Sequence, residues 1–221
     1  MPSVLEAEDT RAVLAELHAY AEIEDPLAHE RVRRVRAARG GQLSTADKYE
    51  AYGDAPPLAV SASEGEVLYF LVRLLQPKCV VEFGSSHGIS TLYLAAGLHD
   101  NGAGHLVTTE IRPAKAEATR KNLTRAGLIG AVEVRLGDAR ESLAEIDGLI
   151  DLVFLDGRND LYLDVLAMLE PKLSDRAVVV ADLSPDDPDL TEYLEYVRAG
   201  RFSRVELPAE TSFEVSVLSS A

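Results

Sequence analysis

The chain alternates between short apolar runs and longer segments in which apolar residues recur at helical spacing. The apolar runs predict strands at 78–83, 105–110, 131–136, 150–155 and 177–181. The amphipathic segments predict helices at 89–99, 113–126, 139–146, 160–170 and 189–199. Strands that alternate with helices in this way form a parallel sheet with helices on both faces, so the sequence predicts an α/β fold.

Two further apolar runs follow at 203–207 and 212–218, and only residues 208–211 separate them. So short a connection predicts an antiparallel hairpin, because a parallel return needs about a dozen residues. The predicted sheet therefore has seven strands, is mostly parallel, and ends in an antiparallel C-terminal hairpin.

Residues 1–57 predict a helical N-terminal extension. Apolar positions at helical spacing predict one helix over 4–24. A second helix is predicted from Pro26 to about Arg39, since proline suits the first turn of a helix. A short third helix is predicted over 45–52.

The main domain is predicted to span 58–221. A turn rich in glycine and proline at 53–57 precedes it. Ser61 and Glu64 then form a capping box, which predicts a helix that continues to about Leu75.

Composition narrows the range of partners. Hydrophobic residues make up 47% of the 221 residues, enough for a substantial core, and the formal net charge is −15. So acidic a surface repels phosphates, which argues against a nucleic-acid partner. The chain has one cysteine, Cys79, no signal pattern, and no apolar run near the roughly 20 residues of a membrane span. These features predict a cytoplasmic protein without a membrane partner.

The candidate chemistry begins at the end of the first strand. Val80 and Val81 lead into Glu82, and a glycine-rich turn then runs from Gly84 to Gly88. Glycines let backbone pass where a side chain would clash, which leaves room for a ligand at the carboxyl end of the strand. The spacing E-x-G-x-x-x-G differs from the dinucleotide fingerprint G-x-G-x-x-G, which argues against a nicotinamide-dependent dehydrogenase.

Acidic residues stand at the ends of strands one, two, four and five: Glu82, Glu110, Asp156 and Asp182. Glu110, at the end of strand two, is placed to accept both hydroxyl protons of a ribose. Carboxylates crowded at one edge indicate a site for cationic groups, such as a sulfonium and an ammonium, or for a metal.

In combination these motifs resemble the catechol and caffeoyl-CoA O-methyltransferase family of class I S-adenosylmethionine (SAM)-dependent methyltransferases, including its small bacterial members. The resemblance runs from about residue 58 to the C-terminus and rests on VSASEGEVLYFLVRLL, CVVEFGSSHGIS, TTEIRP, GDARESL, DLVFLDGRNDLY and VVVADL. It implies a Rossmann-like fold and SAM as the cofactor. It also implies that the donor is lined by Ser61, Glu82, Gly84, Ser86, Ser90, Glu110, Asp138, Ala139 and Asp156.

The chain departs from that family where a metal and a base are expected. The family binds a divalent cation through an Asp after strand four and an Asp-Asn pair after strand five, and here the Asn position holds Leu183. Leucine has no oxygen to donate. The position of the family's catalytic lysine holds Asn159. Asp156 and Asp182 remain as metal ligands, if a metal binds, and we expect no requirement for one. Asp156 is the candidate catalytic residue, which would then orient the acceptor directly.

The expected function is therefore O-methylation of a small-molecule acceptor. Methylation of nitrogen stays open, as does a donor-binding protein that has lost catalysis. The acidic loop 184–189 argues against coenzyme A thioesters as acceptors, because it repels their phosphates. Asp186 or Asp187 in this loop could also replace the missing metal ligand.

Several other residues allow more than one interpretation. His87 could face the cofactor carboxylate or a substrate proton, but a loop histidine without a catalytic role is the favoured interpretation. The arginines of 31–39 are interpreted as a solvated or subunit-facing surface rather than as an anion site, which leaves a homodimer open. Four aromatic residues are candidates either for a pocket wall or for the core: Tyr49, Tyr52, Tyr162 and Phe213.

Overall fold

The computed structural model describes residues 3–41, 43–184, 187–206 and 212–219. Its strands are β1 (Cys79–Phe83), β2 (His105–Glu110), β3 (Val132–Leu136), β4 (Ile150–Leu155), β5 (Leu173–Asp182), β6 (Phe202–Glu206) and β7 (Phe213–Leu218). They form one seven-stranded sheet in the order β3-β2-β1-β4-β5-β7-β6. Strands β1 to β5 are parallel, and β7 pairs antiparallel with both β5 and β6. The predicted fold is confirmed, while the hairpin connection at 208–211 lies outside the described residues.

The helices are α1 (Glu8–Ala38), α2 (Thr45–Tyr52), α3 (Ala62–Leu75), α4 (Ile89–Asn101), α5 (Pro113–Arg125), α6 (Ala139–Ser142), α7 (Tyr162–Leu169) and α8 (Thr191–Arg198). They cover both faces of the sheet, and on each face a separate hydrophobic cluster lies between the helices and the sheet. Val80 packs into the cluster that includes α1, α3 and α4, and Val81 into the cluster that includes α7 and α8. Successive strand residues point to opposite faces, and helices cover both faces, which explains why every residue of β1 is buried.

The predicted capping box at the start of α3 is present. The Ser61 hydroxyl accepts the Glu64 N–H, and the Glu64 carboxylate accepts the Ser61 N–H at 2.7 Å. The second oxygen of Glu64 accepts the N–H and the hydroxyl of Ser212. The cap therefore also ties α3 to the segment that enters β7.

The prediction of two helices before residue 40 is wrong, because α1 continues through Pro26. Proline inside a helix removes one hydrogen bond and costs roughly 3 kcal/mol. Burial on both sides of Pro26 offsets that cost, since Val13 and Leu17 precede it and Ala28 and Val32 follow it in the core.

The helix predicted over 139–146 is shorter than expected and ends at Ser142. The guanidinium group of Arg135 donates to the carbonyl oxygens of Ser142 and Glu145, each at 2.7 Å. These carbonyls are thus satisfied by a side chain from β3 rather than by a further helical turn.

Of the helices in the described ranges, none combines the length and the hydropathy of a bilayer-spanning segment.

Candidate donor and acceptor site

A cavity of about 470 Å³ opens at the carboxyl edge of the sheet. Its floor comes from the residues that follow β1, β2, β3 and β4, and its roof comes from α2 and the segment after it. The residues that line the cavity include Tyr49, Asp54, Gly84, Ser86, Glu110, Ile111, Arg112, Lys115, Asp138, Ala139 and Asp156.

Gly84 is required by the protein's own backbone. Its φ is +97°, and a Cβ there would lie 2.6 Å from the carbonyl oxygen of Asp156. The N–H groups of Gly84 and Ser85 both donate to the Thr109 carbonyl, so β2 also holds the turn in place. Close packing of the Gly84 backbone against the Asp156 backbone thus explains why a glycine stands here, and Gly84 also lines the cavity.

Glu110 is held in a fixed orientation at the end of β2. One carboxylate oxygen accepts the N–H of Ser86 at 2.9 Å, and the other accepts the N–H of Arg112 at 2.8 Å. Each carboxylate oxygen can accept a second hydrogen bond. The group lines the cavity, so it can accept a pair of ligand hydroxyls without moving.

Glu82 lies beneath the loop and not on the cavity wall. It is fully buried, and its carboxylate accepts the hydroxyls of Ser90 at 2.7 Å, Thr91 at 2.6 Å and Thr108 at 2.6 Å. Burial raises the pKa of Glu82, and these three donors oppose the shift. The Ser90 hydroxyl is thus engaged with Glu82, and the implied contact of these two residues with the donor stays a prediction.

Asp138 and Ala139 lie on the wall of the cavity, and their implied contact with the donor stays a prediction. Asp138 begins α6, where its carboxylate accepts the Arg140 N–H at 2.9 Å and pairs with the Arg140 guanidinium at 2.7 Å. Hydrogen bonding to Arg140 lowers the pKa of Asp138, so this acid stays ionised. Ser61, in contrast, lies outside the cavity lining and acts as the cap of α3.

Asp156 and Asp182 form a coupled carboxyl pair where β4 and β5 end. Burial raises the pKa of Asp156 well above its usual range, and the charge of Asp182 raises it further. Burial also raises the pKa of Asp182, against an opposing hydrogen bond from Ser212. Two such acids hold one proton between them more readily than two negative charges.

The described residues do not fit an octahedral Mg²⁺ ion, which prefers six oxygen ligands. In the part of the chain that the structure describes, no three His, Cys, Asp or Glu side chains are grouped so that they could hold a metal ion. Asp187 is engaged elsewhere, because its carboxylate accepts Nδ2 of Asn159 at 2.9 Å and Nζ of Lys48 at 3.3 Å. Asp186 lies outside the described residues. That no metal is required stays a prediction.

Residues from the N-terminal region close the cavity, and the sequence analysis missed most of them. The guanidinium of Arg112 donates to the Asp54 carboxylate at 2.8 Å and to the Tyr49 carbonyl at 3.0 Å. The Tyr49 hydroxyl donates to the Gly157 carbonyl at 2.7 Å. Helix α2 is thus fastened at the β2 side and at the β4 side, so it bridges the cavity.

The other aromatic candidates are core or packing residues. The Tyr162 hydroxyl donates to the Asp182 carbonyl, Phe213 packs on Phe154, and Tyr52 packs beside Val32. His87 contacts the Asp54 carbonyl at 3.2 Å and stacks on Tyr20. Several arginines of 31–39 are engaged within the protein, namely Arg31 with the Tyr52 carbonyl, Arg33 and Arg34 with Glu30, and Arg39 with Asp47.

Comparison with known proteins adds to this geometry. Residues 81–182 match a family model described as "Methyltransferase domain". The predicted resemblance is confirmed. The catechol O-methyltransferase of Mycobacterium tuberculosis (strain ATCC 25618 / H37Rv) is 41% identical over 104 residues, which cover 47% of this chain and 46% of that protein. That of Bos taurus is 31% identical over 163 residues, which cover 70% of this chain and 57% of that protein.

A solved structure is similar over more of the chain. The O-methyltransferase TomG from Streptomyces achromogenes, in complex with SAM, matches with a TM-score of 0.66 and 26% identity. The match covers 76% of this chain and 84% of that protein. The chain spans about half the length of the curated relatives it matches.

Proposed function

We propose that this chain is a SAM-dependent methyltransferase that methylates an oxygen of a small molecule. The observation that carries the proposal is Glu110, whose carboxylate is oriented by two backbone N–H groups at the wall of the cavity. An acid in this place binds ribose hydroxyls in nucleotide-binding α/β folds. The methyltransferase domain match and the catechol O-methyltransferase relatives support the same activity.

When bound, SAM supplies an electrophilic methyl group, and its transfer leaves the carbon–sulfur electron pair on sulfur. The chain's own residues would bind, align and exclude water. Glu110 holds the ribose. Ile111, which is 59% exposed although apolar, and Ala139 give an apolar surface for the adenine. Helix α2 closes the cavity above the reacting atoms.

Asp156 is proposed to orient the acceptor. It lines the cavity, and burial together with the charge of Asp182 raises its pKa. With one negative charge on the pair, it would accept the hydrogen bond of an acceptor hydroxyl, which directs the oxygen lone pair toward the methyl group. The pair would then take up the hydroxyl proton as the new carbon–oxygen bond forms. Cytoplasmic location, a homodimer and the division at residues 57 and 58 stay predictions.

The test combines calorimetry with a transfer assay. Purified protein is titrated with SAM and, as a control, with NAD, and is then incubated with SAM and a panel of catechols, phenols and amines. We expect SAM binding without NAD binding, and a methylated oxygen product by mass spectrometry. Transfer only to amines would favour the nitrogen alternative, SAM binding without transfer would favour the binding protein, and absence of SAM binding would reject the proposal.

A further inference from the structure

Lys115 is a buried cation on the wall of the cavity. It lies in the first turn of α5 and is only 5% exposed. Its Nζ donates to the Ser86 hydroxyl at 3.1 Å. Among the described residues no carboxylate lies within ion-pair distance of this ammonium group. A lysine ammonium has three donors, so its hydrogen-bonding capacity exceeds the partners around it.

The surroundings make this cation costly without an anion beside it. Burial lowers the pKa of Lys115, and the charge of Glu110 opposes that effect. The first turn of a helix also carries partial positive charge, which disfavours a lysine and favours an anion. The ammonium group and the helix end therefore attract a negative group to the same part of the cavity.

The other charged residues that line the cavity limit how much negative charge a ligand can carry there. The lining of this cavity contains more acids than cations. The acids are Glu50, Asp54, Glu110, Asp138 and Asp156, and the cations besides Lys115 are Arg112, which pairs with Asp54 and Glu50, and Arg158, which pairs with Asp160. A phosphate with nearly two negative charges would be repelled by these acids, whereas a carboxylate carries one charge that Lys115 can match.

Ser86 connects this cation to the proposed ribose site. Its N–H donates to Glu110 while its hydroxyl accepts from Lys115 and donates to the Pro57 carbonyl. Because Ser86 contacts both Glu110 and Lys115, a ligand whose hydroxyls bind Glu110 lies close to the ammonium group.

We propose that Lys115 binds a carboxylate of a ligand held in this cavity. The inference rests on the proposed function, and two sources can supply the group: the amino-acid part of SAM, or an acceptor that carries a carboxylate. In either case Lys115 determines which ligand is preferred.

The experiment compares Lys115→Met with Lys121→Met, a matched change on the exposed side of the same helix. Affinities are measured by calorimetry for S-adenosylhomocysteine and for 5′-methylthioadenosine, which lacks the amino-acid part. If the donor supplies the carboxylate, Lys115→Met weakens S-adenosylhomocysteine binding about tenfold or more and leaves 5′-methylthioadenosine unchanged. Lys121→Met should change neither affinity.

The second arm tests the acceptor. If affinity for S-adenosylhomocysteine is unchanged, we expect Lys115→Met to raise KM for 3,4-dihydroxybenzoate about tenfold while KM for catechol stays constant. Equal losses for all ligands, or no change in any, would overturn the inference. Lys115→Gln is the second variant if Lys115→Met does not fold. Wild-type protein that binds no S-adenosylhomocysteine would instead reject the proposed function.

Discussion

Glu82 and Glu110 show how two acids at neighbouring strand ends take different roles. Glu82 is enclosed by three hydroxyl donors, whereas Glu110 is held by two backbone N–H groups and faces the cavity. Both acids lie at the carboxyl end of a strand, Glu82 next to last in β1 and Glu110 last in β2, so their places in the sequence pattern are similar. The difference arises from Thr91 and Thr108, whose hydroxyls meet Glu82 only in the folded chain.

Replacing Glu110 should weaken donor binding. Glu110→Ala removes the acceptor of the ribose hydroxyls, so we expect a loss of about 1.4–3 kcal/mol, roughly tenfold or more in affinity for S-adenosylhomocysteine. Calorimetry measures the change, with the exposed Glu117→Ala on α5 as the control. Equal affinity in wild type and Glu110→Ala would contradict the assignment.

Replacing Glu82 should instead reduce stability. Glu82→Ala leaves three buried hydroxyls without their acceptor, and we expect the free energy of unfolding to fall by about 2–4 kcal/mol. Urea denaturation gives the value, and Glu82→Gln should recover part of it because the amide oxygen still accepts a hydrogen bond. A fully stable Glu82→Ala protein that no longer binds the donor would show that Glu82 serves the ligand.

At the scale of elements, periodicity located the helices well but did not show which of them meet. The short helix α2 has the bounds predicted for it, yet its place across the cavity depends on Arg112 and Asp54, which are far apart in sequence. The error at Pro26 has a similar origin, since tertiary burial on both sides of the proline outweighs its local preference. Local patterns record propensity, while these two features depend on distant contacts.

The fastening of α2 predicts control of ligand exchange. Arg112→Met removes the guanidinium bonds to Asp54 and the Tyr49 carbonyl but keeps the Arg112 N–H that holds Glu110. We expect faster amide hydrogen exchange in α2 and faster dissociation of S-adenosylhomocysteine, by about threefold to tenfold. Lys121→Met serves as the control. Unchanged exchange in α2 would show that its other contacts, such as those of Tyr49 and Lys48, hold the helix without Arg112.

The ends of β4 and β5 predict how the reaction responds to metal removal. Asp156 and Asp182 are coupled carboxyls, Leu183 has no side-chain oxygen, and Asp187 is engaged with Asn159. Because the described residues offer so few ligands, we expect turnover of a true acceptor to change less than threefold after exhaustive chelation. A loss of a hundredfold or more that Mg²⁺ restores would show that a cation site forms in the working enzyme.

At the scale of the whole molecule, an acidic chain holds several acids in its interior. The formal net charge is −15, and Glu82, Asp156 and Asp182 all lie at the same edge of the sheet. Composition and strand order predicted this concentration of acids. They did not predict the protonation states, which depend on burial and on the distance between carboxyls.

These buried acids should make stability depend on pH in a defined direction. Burial raises the folded-state pKa of Asp182 above its unfolded value of 3.8, so the folded protein holds the proton more tightly. The associated stability is fully present below pH 3.8 and is lost as pH rises through the folded pKa.

Asp182→Asn removes this titration, and it also removes the charge that raises the pKa of Asp156. We therefore expect the variant to gain stability relative to wild type between pH 5 and pH 8, by about 1 kcal/mol or more. Urea denaturation across that range, with the exposed Asp164→Asn on α7 as the control, measures the difference. A gap that stays constant from pH 5 to pH 8 would contradict the prediction, because it would mean that the folded-state pKa of Asp182 lies below this range, as the opposing hydrogen bond from Ser212 favours.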